Sequence, residues 1–98
     1  MKIPKKLRMF GGDWQVVDSG DYGGSFSFAK YKITIPKKYP NKVKEVLLHE
    51  IFEAVMVKHY LRYSGIEDSQ EYLFNMNHTQ MSNAFEDFVF ILQDNKLI

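Results

Sequence analysis

Cysteine is absent from this chain of 98 residues, and proline is scarce at three. Without thiols there is no disulfide framework, no thiolate zinc finger and no thiol nucleophile. Any metal has to be held by imidazole nitrogen and carboxylate oxygen. An excess of either charge is missing too: 13 basic against 12 acidic side chains give a net charge of +1. That balance supplies no electrostatic reason for a polyanion partner. Long apolar runs are also lacking. The longest, Phe88-Val89-Phe90-Ile91-Leu92, is far below the ~18 residues of a membrane span. The basic start, Met1 to Arg8, carries no apolar stretch of the signal-peptide kind. A cytoplasmic chain with no membrane partner is expected.

Aromatic residues are plentiful, with eight Phe, six Tyr and Trp14. A chain this short buries only about 60–65% of the surface its unfolded form exposes. Its core must therefore lean on aromatics, on a bound ion or on a partner. The length suits one domain over residues 1–98.

The first 40 residues read as β and the remainder as α, which predicts an α+β fold. Leu7 to Phe10 and Trp14 to Val17 flank Gly11-Gly12-Asp13, a spacer suited to a hairpin. Residues 18–24 are a loop by composition. Ser25 to Phe28 and Tyr31 to Ile35 alternate at period 2. Ala29-Lys30 makes a poor two-residue turn, so a longer loop is expected there. The result would be a small antiparallel sheet of about four strands. A long helix is expected from Asn41, as N-cap, to about Tyr63, since no Gly or Pro interrupts before Gly65. Ser64 to Gln70 reads as a connection, and Glu71 to Met76 as either short helix or strand. Met81, Ala84, Phe85, Phe88, Val89 and Leu92 form one stripe of a last helix. Asn77 or Thr79 would cap its start, and Asn95 would stop it.

Chemistry concentrates in His49-Glu50-Ile51-Phe52-Glu53. Residues four apart share a helix face, about 5.4 Å apart along the axis. His49 and Glu53 can thus aim a nitrogen and an oxygen at one ion. Glu50, turned about 100° from His49, can flank it as general base. H-E-x-x-H helices use the same geometry, with His where Glu53 stands here. Chance also produces such spacing, and a buried ion pair would satisfy these groups without a metal. Leu47, Leu48, Ile51, Phe52, Ala54 and Val55 surround them, and carboxylates in apolar surroundings need partners. A catalytic zinc takes three protein ligands and an open position. His59 lies roughly 15 Å along the axis from His49 and about 80° round it, too far to share the ion. His78, before the last helix, can reach if that helix folds back. His49, Glu53 and His78 would supply the donor set of His₂Glu zinc hydrolases. The alternative for His78 is a first-turn residue in water.

The run Val46-Leu47-Leu48-His49-Glu50-Ile51-Phe52-Glu53-Ala54-Val55 resembles the metal helix of small zincin-like proteins encoded by phages and prophages. Those proteins are minimal metallopeptidase domains, several with Glu at the second ligand position. Asn77-His78-Thr79-Gln80-Met81 and Phe90-Ile91-Leu92-Gln93-Asp94-Asn95 are similar to their final helix. Gly24-Ser25-Phe26 with Ile33-Thr34-Ile35 is similar to their strand pair before the metal helix. The resemblance spans residues 7–95. It implies a small antiparallel sheet packed on two main helices, zinc on His49, Glu53 and His78, and Glu50 as the base. It also implies a cytoplasmic location in a host cell.

Two functions follow as expectations. One is a zinc-dependent, peptidase-like hydrolase in which metal and Glu50 activate water against a peptide bond. The substrate peptide would lie along the Tyr31–Ile35 strand as an exposed edge. The other is a non-catalytic phage-type binding protein, its metal structural or absent. Tyr60, Tyr63 and Tyr72 qualify as oxyanion donors by residue type alone, and none is assigned. Lys2, Lys5, Lys6, Arg8, Lys37 and Lys38 read as solvated surface, so nucleic acid is not an expected partner. Gly11-Gly12 and Gly23-Gly24 read as turns, and no Ser–His–Asp arrangement supports a serine hydrolase. Phe85, Phe88 and Phe90 read first as core. Phe90 and Ile91 lie off the main stripe, a surplus that would suit a homo-oligomer face.

Overall fold

In the computed structural model, which describes residues 2–64 and 72–98, the first hairpin forms at the glycine spacer. β1 (Lys6–Met9) and β2 (Gly12–Asp18) pair antiparallel, with Met9 opposite Gly12. Phe10 and Gly11 make the turn at φ 54° and 76°, the positive values that a two-residue hairpin turn requires. β3 (Ser25–Ser27) and β4 (Lys32–Ile35) are also antiparallel. Residues 28–31 join them, so the loop is longer than Ala29-Lys30, as expected.

The sheet order is β1-β2-β4-β3, and β2 runs parallel to β4. The sheet is therefore mixed, not antiparallel throughout. Residues 19–24 explain the difference. Gly20 N–H donates to Asp18 Oδ1 and Gly23 N–H to Asp21 Oδ1, at 3.1 and 2.9 Å. These two turns carry the chain past one strand position, about 10 Å. β4 then fills the gap, and its fully buried Ile33 and Ile35 suit an interior place. The edge beside β4 is β3, so the Tyr31–Ile35 segment is not the exposed edge that was expected.

Helix α1 (Pro40–Lys58) begins two residues earlier than predicted. Pro40 takes the first helical position, where its preset φ helps and its missing N–H costs nothing. Tyr39, not Asn41, stands at the N-cap, with no side-chain hydrogen bond. The helix also stops before Tyr63. Tyr60 enters the left-handed region at φ 59°, Tyr60 N–H donates to Val57 O at 3.0 Å and Leu61 N–H to Met56 O at 2.9 Å. This is a Schellman ending, usually built on glycine. Leu61, buried, anchors the reversed chain.

β5 (Arg62–Ser64) follows and pairs antiparallel with β6 (Tyr72–Phe74). Strand is thus the outcome at residues 72–74, where helix or strand was open. Of the connection expected over Ser64 to Gln70, Ser64 instead ends β5, and residues 65–70 lie outside the described residues. Helix α2 (His78–Asp94) carries a complete capping box: Asn77 accepts from Gln80 N–H, and the Gln80 side chain accepts from Asn77 N–H. It ends at Asn95 with Lys96 at φ 57° and Leu97 N–H on Leu92 O at 2.7 Å, a second Schellman ending.

Leu7, Met9, Trp14, Val16, Ile33 and Ile35 bury one sheet face. Leu47, Ile51, Ala54 and Val55 of α1 join the same core, with Ala84, Ile91 and Leu92 of α2. Trp14 sits fully buried among Phe10, Phe28 and Tyr31, its indole N–H on Met9 O at 3.0 Å. The α2 stripe is rotated from the predicted one. Phe88 packs against the core and Ile91 is buried, whereas Met81, Phe85 and Phe90 are exposed. Ile91 belongs to the core side because 84, 88, 91 and 92 follow the helical repeat as well as 81, 85 and 92 do. Among the described residues no helix is long and apolar enough to cross a membrane.

Candidate metal centre

Helical spacing brings His49 and Glu53 together as expected: Nε2 of His49 lies 2.7 Å from Oε2 of Glu53. Glu50 comes with them, its Oε2 at 3.8 Å from the same nitrogen. One donor atom from each of His49, Glu50 and Glu53 falls within 4.8 Å of the others. The site thus offers one imidazole and two carboxylates, a set suited to a borderline divalent ion. These residues fit a metal by donor chemistry. His78 is not in this group. It is exposed as the first residue of α2, and the structure assigns it no contact with the cluster. His59, ruled out by its position, pairs instead with Asp87 of α2, Nε2 to Oδ2 at 3.0 Å.

The three side chains live in different environments. His49 is mostly exposed, whereas Glu50 is buried at 7% exposure, the single charged residue in the described core. Burial raises the Glu50 carboxyl above its usual range; His49 opposes the rise, Glu53 adds to it and Arg62 again opposes it. Gly24 lets this helix come so close. A Cβ there would overlap Val46, stand 2.9 Å from Thr34 O and 3.2 Å from Glu50 Cγ. Glycine before β3 therefore brings the sheet edge against the face of α1 that carries Glu50.

Arg62 is the residue the sequence did not reveal. Its Nη1 donates to Glu53 Oε1 at 3.1 Å. The guanidinium lies 3.9 Å from the Tyr72 ring centroid and 5.2 Å from that of Phe26. The β5–β6 register explains the reach, because Arg62 faces Phe74 and Tyr72 is its diagonal neighbour. Nothing in the spacing of Arg62 from Glu53 signals the pairing; it needs the reversal at Tyr60. Of the tyrosines considered, Tyr72 borders the site, while Tyr60 is 85% exposed at the end of α1.

Two hollows flank the cluster. One, of 410 Å³, lies between Gly24-Ser25-Phe26 and His49, Glu50, Glu53, Arg62 and Tyr72. The other, of 440 Å³, is walled by Phe52, Tyr72, Phe74 and Met76 beside His49 and Glu53. The polar cluster thus opens both toward the β3 edge and toward an apolar recess.

No protein-family model, curated protein or solved structure matches this chain.

Proposed function

We propose that His49 and Glu53, with Glu50 beside them, form a zinc site of a metallopeptidase-like protein. The observation that carries this is the convergence of His49, Glu50 and Glu53 next to the side of β3 that pairs with no strand among the described residues. Zinc there would polarise a peptide carbonyl and acidify water. Glu50, its proton affinity raised by burial, suits the general base. β3 can hold an extended peptide by main-chain hydrogen bonds, and the apolar recess can receive one of its side chains. His78 remains the proposed third ligand by resemblance, although it stands outside the group formed by His49, Glu50 and Glu53.

A second reading has its own observation. Glu53 is already engaged by His49 on one oxygen and Arg62 on the other. A polar cluster so paired can persist without an ion, in a binding protein whose metal is structural or absent.

Metal analysis of the purified chain separates these readings. One zinc per chain, lost in His49→Ala and in Glu53→Ala, is the expected outcome. No uptake from excess zinc would remove the proposal. Retention of zinc in His78→Ala would leave His78 in solvent and give Glu50 or water its place. Peptide hydrolysis that survives Glu50→Gln would overturn the role of base.

A further inference from the structure

Glu53 presents its two oxygens to two different elements. Oε2 faces His49 on the same helix, while Oε1 accepts from Arg62, which arrives on β5. Arg62 is not free to swing away. Its side chain is 20% exposed and its guanidinium is stacked against Tyr72, with Phe26 on its other contact.

That arrangement bears on which ion the site accepts. A carboxylate can give a metal one oxygen or both. Calcium takes six to eight oxygens and uses carboxylates in the two-oxygen mode, whereas zinc is satisfied by about four donors in all. We infer that Arg62 is a positioning residue that withholds Oε1 of Glu53, so that an ion bound here receives one oxygen from that carboxylate. The site then selects a small ion of low coordination number over larger oxygen-seeking ions. This inference rests on the metal reading above and assigns Arg62 no contact with substrate.

The test compares wild type, Arg62→Ala and Arg62→Lys, each loaded with cobalt(II) and titrated separately with zinc and manganese. Circular dichroism reports whether each is folded. In wild type, cobalt should give the intense visible absorption of a four-coordinate ion. In Arg62→Ala the absorption should weaken as Oε1 joins the ion, and the zinc-to-manganese affinity ratio should fall about tenfold or more. Arg62→Lys, which keeps a cation on Oε1, should recover most of the absorption. An unchanged spectrum and ratio in Arg62→Ala would overturn the role of Arg62 while leaving the metal site standing. A wild-type cobalt spectrum of a five- or six-coordinate ion would overturn it even if the alanine variant did not fold. A wild type that takes up no ion would remove the metal reading itself, and this inference with it.

Discussion

Glu50 concentrates the conflict between stability and chemistry in a single side chain. Its carboxyl is buried, and its pKa is raised above the ordinary 4.5 mainly by that burial. The folded chain therefore binds its proton more tightly than the unfolded chain does. By linkage, the stabilisation is complete below the unfolded pKa and is lost as pH rises through the folded one. Above the folded pKa the ionised, buried carboxylate costs the metal-free fold stability. Glu50→Gln should raise Tm of the metal-free chain at pH 7, and the gap from wild type should close as pH falls toward the ordinary carboxylate range. Thermal melts across pH check this; a gap that widens in acid would contradict it. Gly24 is the other residue on which the site depends. Gly24→Ala should cost about 1–3 kcal/mol in a urea titration, because Thr34 O is backbone and cannot move aside. His49, Glu50 and Glu53 were legible because a helix fixes the directions of residues one and four apart. Arg62 and Gly24 were not, because their roles depend on where other elements lie.

At the scale of elements, the strands and helices were legible but their ends and neighbours were less so. Alternation at Ile33 and Ile35 identifies a buried face, not the strand alongside. The order β2-β4-β3 is decided by the turns at Asp18 and Asp21, which the alternation does not encode. The end of α1 was hidden for a different reason. Its stop lacks the usual glycine, and the buried Leu61 stabilises the reversal at Tyr60. A non-glycine residue in that conformation is strained, by about 1–2 kcal/mol. Tyr60→Gly should therefore make the chain about 1 kcal/mol more stable, because the side chain is exposed and the relieved strain exceeds the freedom that the unfolded chain gains. Chemical denaturation measures it, and a loss of stability would mean that the Tyr60 ring itself contributes. By contrast, the cap was readable in advance to within Asn77 or Thr79, because a cap bonds to the residue three further on, as Asn77 does.

Across the whole molecule, two polar contacts tie distant parts together. His59 and Asp87 join the end of α1 to α2. Asn95, at the end of α2, accepts from Arg8 N–H at 2.7 Å and donates to Arg8 O at 2.8 Å. Its amide thus treats β1 as a neighbouring strand would. The same nitrogen also donates to Ile91 O at 2.8 Å. Asn95→Ala should cost about 1–3 kcal/mol by leaving these groups without partners. Equilibrium unfolding tests it, and a change within a few tenths of a kcal/mol would show that water replaces the amide. The α+β class was readable from composition alone along the chain. The closure between its two ends was not, because 87 residues separate Arg8 from Asn95.

The same Asn95 amide gives the sheet a direction of growth. At the Arg8 position one margin is sealed by a side chain, while among the described residues no strand lies outside β3 at the other. Within the four-stranded sheet, the β3 margin is the one without such a side-chain block among the described residues. Were two copies to join through β3, each would turn its Asn95-covered margin outward, and that side-chain amide would oppose further pairing along the sheet.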